Sequence, residues 1–265
     1  MMKIWSVANQ KGGVGKTTTA VSLAGMCVIH GARVLLVDMD PHGSLTSYFG
    51  YDPESVQPSL YDIFQAGHID HQFAHSLIKP TAINNLKLLP ASTAIATLDK
   101  QLGAKSGMGL AIVNALQHME NEYDHVFIDC PPMLGVLMVN ALAACNHLVI
   151  PVQTEFLAMK GLERMLNTLQ MIEKAKSIQI NYTIVPTMYD KRTRASIDSL
   201  KYLRDNYSEH LWQGVIPVDT RFRESSRDGK PISHFRVSTR GARAYSALLD
   251  ALMQGKNINK QVASL

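Results

Sequence analysis

The sequence predicts an α/β fold built as a doubly wound, mostly parallel sheet with helices on both faces, and three observations carry that expectation. Short runs rich in Val, Ile and Leu alternate with longer stretches of helical period, the pattern of βαβ units whose strands are buried on both sides. A glycine-rich run, Lys11 to Thr18, stands between the first apolar run and the first helical one. Two later apolar runs end in aspartates, Asp38 and Asp129, at strand ends where open α/β sheets bind ligands.

In chain order, strands are expected at Ile4–Ala8, Arg33–Asp38, Leu86–Leu89, Val126–Asp129, Leu148–Val152, Tyr182–Pro186 and Gly214–Ile216. The first helix is expected over Thr18–His30. There Ala20, Leu23 and Cys27, then Val21, Ala24 and Val28, form two adjacent apolar rows, and Gly31 ends the element. Further helical spacing marks Met108–Glu120, Val136–Ala144, Leu157–Lys174, Ala195–Asn206 and Arg240–Met253. The stretch Tyr51–Ala82 has weak periodicity and leaves its elements open. The polar tail, residues 255–265, is expected to fray.

At 265 residues, with 46% hydrophobic and 18% charged content, the chain reads as one globular domain spanning 1–265. No run approaches the roughly 18 apolar residues of a membrane span. Met1 to Trp5 enters a strand-like segment at once, so neither a membrane nor a secretory signal is expected and the protein is placed in the cytosol. Cys27, Cys130 and Cys145 lack the spacing of a metal cluster and read as small buried hydrophobes. Net charge is only +4, yet Thr187–Tyr245 holds 12 Lys/Arg against 7 Asp/Glu. The positive charge is concentrated in the C-terminal quarter.

The run Lys11-Gly12-Gly13-Val14-Gly15-Lys16-Thr17-Thr18 has the composition of a phosphate-binding loop. Its glycines let consecutive backbone N–H groups curl around phosphate oxygens, and the helix that follows adds its positive dipole end. Lys16 is placed to neutralise the β- and γ-phosphates, and the Thr17 hydroxyl to reach magnesium. The expected ligands are therefore ATP and Mg2+. Asp38 and Asp40 close one buried strand in Val37-Asp38-Met39-Asp40-Pro41, and Asp129 closes another in Val126-Phe127-Ile128-Asp129-Cys130-Pro131-Pro132, which looks like a Walker B strand whose Asp129 holds magnesium through a water.

Lys11 opens the loop where an ordinary P-loop has no fixed basic residue, and it resembles the signature lysine of the ParA/MinD family. In that family two subunits sandwich two ATP molecules, and each lysine crosses to the partner's phosphates. The resemblance extends to the ParA/Soj branch through Thr187-Met188-Tyr189-Asp190, Val215-Ile216-Pro217 and Gly229-Lys230-Pro231-Ile232. It implies an ATP-dependent homodimer and slow hydrolysis that a partner protein stimulates. Lys11, Lys16 and Asp40 are then the catalytic set, with Asp40 on the attacking water and Asp38 in the magnesium shell. Pro217 and Asp219 become candidates for reading adenine. Arg192 and Arg221 match positions where relatives carry DNA-binding arginines, although Val218-Asp219 stands where partition members have arginine and asparagine.

Cargo is the open choice. The segment Asp40-Pro41-His42-Gly43-Ser44 with Ser59-Leu60-Tyr61-Asp62 resembles the ParC-type branch that positions chemotaxis arrays at the cell pole, and this is the expected role. Chromosome or plasmid partition on nonspecific DNA is the alternative, and a metabolic P-loop enzyme the remote one. The cytoplasmic protein is accordingly expected either on the nucleoid or on a polar anchor protein. The final residues, Gln254 to Leu265, show no continuous apolar face for membrane attachment.

Overall fold

The computed structural model describes residues 1–98, 110–176, 179–236 and 238–254. Strand β1 (Lys3–Val7) leads through the glycine-rich loop into helix α1 (Lys16–Ile29), followed by β2 (Val34–Asp38). The edge pair β3 (Lys79–Pro80) and β4 (Leu86–Leu89) comes next, then β5 (His125–Asp129), β6 (His147–Gln153) and β7 (Asn181–Thr187). These form one seven-stranded sheet in the order β3-β4-β2-β5-β1-β6-β7. Every pairing is parallel except β3 with β4.

Strand alternation divides the interior into two layers. Val34 and Leu36 of β2 join Trp5, Val7, Phe127 and Val149 beneath α1 and the C-terminal helix Arg240–Gln254. Leu35 and Val37 join Ile128 and Ile150 on the other face, under the long helix Phe156–Lys176. All five residues of β2 are buried, as a central strand covered on both sides requires. Among the described residues, no helix is long and apolar enough to cross a membrane.

Two departures from the sequence expectation have physical causes. Gly214–Ile216 is not a strand: only isolated bridges flank it, Ile184 to Leu211 and Tyr189 to Pro217. Trp212 N–H donates to Ile184 O, but Pro186 has no N–H for the next rung, and the chain loops outward until Ile216 N–H reaches Pro186 O at 2.8 Å. The undetermined stretch Tyr51–Ala82 folds into short helices, Leu60–Gln65 and His71–Ser76, and the edge strand β3. Ser59 and Asp62 cap the first reciprocally, a signal too short to show in periodicity. The helix expected at Met108–Glu120 covers Ala111–Gln117, with Met108 and Gly109 outside the described residues. The tail 255–265 also lies outside them.

Candidate nucleotide-binding site

The loop between β1 and α1 leaves its backbone donors free. Gly13 and Gly15 hold φ of 75° and 91°, a left-handed conformation that glycine adopts without steric cost. The first backbone bond of the helix runs from Thr19 N–H to Gly15 O at 2.8 Å. The N–H groups of Gly13, Val14, Gly15, Lys16, Thr17 and Thr18 donate to no protein group among the described residues. No acid occupies the first turn, so the positive end of α1 adds to the attraction of these donors for an anion. Contacts from distant strands brace this cradle. Thr187 Oγ1 donates to Val14 O at 2.9 Å, and Asn9 bridges Pro151 O (2.8 Å) and Lys11 N–H (3.0 Å). Lys16 is 8% exposed, and among the described residues its ammonium has only a long contact, 3.4 Å, to Lys11 O. A cation so enclosed and so weakly partnered fits an anionic ligand.

Beside the loop, β2 and β5 place Asp38 directly across from Asp129. Thr17 Oγ1 donates to Asp129 Oδ2 at 2.6 Å, while Asp129 Oδ1 is buried with no donor among the described residues. Asp38 has both oxygens engaged: Oδ2 accepts Thr46 N–H and Oγ1, each at 2.7 Å, and Oδ1 accepts Asp40 N–H at 3.1 Å. Burial pushes Asp38 up to about 6. Burial, and then the neighbouring Asp38, lift Asp129 well above the usual carboxylate range. A pair of buried carboxylates with one unpartnered oxygen fits a divalent cation, whose charge would offset both penalties. Among the described residues no group of three His, Cys, Asp or Glu could hold a metal alone. That matches magnesium, which takes one or two carboxylates and completes its shell with water and phosphate oxygens.

Asp40 and Lys11 lie at the rim of the same site. Asp40 Oδ1 accepts the His42 N–H at 3.0 Å and meets His42 Nδ1 at 2.8 Å. Lys11 Nζ is held by Glu155 Oε1 at 2.7 Å, with Gln153 Oε1 at 3.4 Å. A cavity of about 620 Å3 continues from Gly15 and Thr18 to Met188, Pro217, Asp219 and Tyr245. Met188 sits at φ 52°, a strained value for a side chain this large. The glycine-rich loop and a pocket with an apolar wall are therefore contiguous.

Comparison with known proteins agrees with this geometry. The family described as AAA domain matches residues 2–182. The sporulation initiation inhibitor protein Soj of Bacillus subtilis is 37% identical over 246 residues, covering 92% of this chain and 96% of Soj. The chain belongs to the ParA/Soj family. The chromosome partitioning protein ParA of Myxococcus xanthus, 31% identical, covers 95% of this chain, with 88% of that protein matched. Among solved structures, cobyrinic acid a,c-diamide synthase from Mycobacterium smegmatis with bound ADP and magnesium superposes with a TM-score of 0.83 at 32% identity, covering 99% of this chain and 100% of that one.

Two sequence-derived candidates of this ParA/Soj chain have a more constrained setting than their motifs suggested. Asp219 borders the cavity of about 620 Å3, but its Oδ1 accepts Arg221 N–H and its Oδ2 accepts Gly241 N–H, both at 3.0 Å. It therefore ties the starts of helices Arg221–Arg227 and Arg240–Gln254 together. Arg192 grips Asp190 with Nη2 at 2.6 Å and Nε at 2.9 Å, and the guanidinium holds that carboxyl down at about 2. Arg192, Arg221, Lys191, Arg236 and Arg240 all line a second cavity of about 770 Å3. Sequence reading passed over Thr46, Asn9 and Glu155, and took Thr187 only as part of a family-like segment. Only Asn9 carried a local signal, a polar residue directly after a buried strand; the other three act on partners more than seven residues away.

Proposed function

We propose that the chain is an ATP-dependent, dimerising switch ATPase of the partition type, a single domain that hydrolyses ATP to ADP and phosphate. The observation that carries this reading is the coincidence of unpaired loop N–H groups, the enclosed Lys16, the unpartnered Asp129 oxygen and Lys11 at the rim. Lys16 and the loop amides bind the phosphates, with Pro217 and Asp219 at the base. Thr17 and Asp129 hold magnesium, with Asp38 behind them, and the metal supplies charge neutralisation at the phosphates. Asp40 orients water. Lys11 completes a second copy's site, and a partner protein accelerates the slow intrinsic rate.

The ATP dimer binds DNA without sequence preference through the basic cavity, where the charges of Arg192 and Arg221 are reinforced by Lys191, Arg236 and Arg240. A dimer presents two such cavities, and affinity rises steeply with each counterion released. The test is DNA affinity against salt, with ATP, for wild type and the Arg192→Ala/Arg221→Ala variant. Binding should weaken linearly in log salt, with a shallower slope for the variant. Dimerisation without DNA binding at low salt would instead favour docking on a polar anchor and the chemotaxis-array role, which His42-Gly43-Ser44 after Pro41 supports. ATP consumption that depended on an added corrinoid acid would displace both readings in favour of a metabolic one.

A further inference from the structure

We propose that His42 is a positioning residue for hydrolysis, its imidazole fixing one oxygen of the Asp40 carboxylate and leaving the other for the attacking water. The inference rests on the reading of Asp40 as the residue that orients that water. Residue 42 supplies Oδ1 with two donors, the backbone N–H at 3.0 Å and the ring Nδ1 at 2.8 Å. A carboxylate accepts and does not donate, so the ring proton of this contact is assigned to Nδ1. Among the described residues no donor reaches Asp40 Oδ2.

The turn does not need the ring. Asp40 O accepts Gly43 N–H at 2.8 Å, and the other bond to Oδ1 comes from backbone, so any residue except proline at position 42 keeps both. Gly43, at φ 60°, lies so close to Pro53 that a Cβ there would collide with its ring, so the test leaves residue 43 unchanged. The His42 side chain is 80% exposed and that of Asp40 only 14%, so the imidazole contributes little packing and its effect is on the carboxylate. The terminal torsion of aspartate is intrinsically broad. Two donors on one oxygen narrow it, and an acceptor oriented before reaction does not have to be ordered during it.

The test compares ATP turnover, KM for ATP and thermal unfolding for wild type, Asp40→Ala, His42→Ala and His42→Asn. His42→Ala should lower kcat about tenfold, the scale of a lost hydrogen bond to a charged group, with KM and melting temperature unchanged. His42→Asn, whose amide nitrogen takes the place of Nδ1, should restore most of kcat. A His42→Ala variant as fast as wild type, beside an inactive Asp40→Ala, would overturn the role of His42 alone. Equal loss in the Ala and Asn variants would overturn it too. Undiminished turnover by Asp40→Ala would instead remove the assignment of Asp40 on which the proposal stands.

Discussion

Lys11 Nζ lies 2.7 Å from Glu155 Oε1 of the same chain, so the lysine proposed to cross to a partner's phosphates is held by its own β6–helix junction. Reaching across requires that this pair be given up. Their side chains are 26% and 38% exposed, which limits such a pair to the order of 1 kcal/mol. Replacing Glu155 with Gln should therefore tighten the ATP-bound dimer by about two- to fivefold. Lys11→Ala should abolish that dimer. Light scattering with a slowly hydrolysed ATP analogue measures both, and an unchanged Glu155→Gln dimer would show that the pair does not restrain Lys11.

Asp40 and Lys16 should separate hydrolysis from binding. Lys16 is enclosed beside the loop amides, whereas Asp40 lies beyond the end of β2 and, among the described residues, bonds only within its own turn and to Asp38. Asp40→Ala is expected to lose turnover and keep ATP affinity; Lys16→Ala is expected to lose affinity. Nucleotide titration alongside a phosphate-release assay distinguishes the two, and equal affinity losses would contradict the assignment.

The buried carboxylates give the metal-free protein a defined pH dependence. With Asp38 at about 6 in the fold against roughly 4 unfolded, the native state holds the proton more tightly. This group's contribution is thus fully present below pH 4 and lost as pH rises through 6, a difference of about 3 kcal/mol. Denaturant unfolding of wild type and Asp38→Asn in EDTA should show wild type losing stability relative to the variant across pH 4–6. A difference independent of pH would refute the raised value.

Gly25 in α1 packs against the segment Pro231–Ser233. A Cβ there would collide with the Pro231 ring and lie 2.5 Å from Ser233 Oγ. Alanine gains roughly 1 kcal/mol of helix propensity, but overpacking against a rigid ring costs about 1–3 kcal/mol. Gly25→Ala should therefore lower the melting temperature, and a raised one would mean that Pro231–Ser233 shifts freely.

Much of the fold was legible because its signals are local. Six of the seven expected strands stand within two residues of their expected ends. The glycine spacing and the helix after it located the loop whose amide donors are free, and apolar runs ending in Asp38 and Asp129 located the adjoining strand ends. The failure at Gly214–Ile216 is instructive: the run has strand composition, but its neighbour presents Pro186 where the next donor is needed. A pairing cannot be read from one of its two partners.

By itself, then, the sequence determined the periodicities, the glycine-rich turn and the residue types available for phosphate and cation chemistry, since each depends on neighbours within a turn or a strand. Tertiary structure alone decided that Asp38 stands opposite Asp129, that Glu155 pairs with Lys11 across 144 residues, and that Asp219 ties two helix starts together. These relationships follow from strand order and from the packing of segments far apart in the chain. Hydrophobic period gives an element its type and buried face, but it carries no information about which other element will lie against that face.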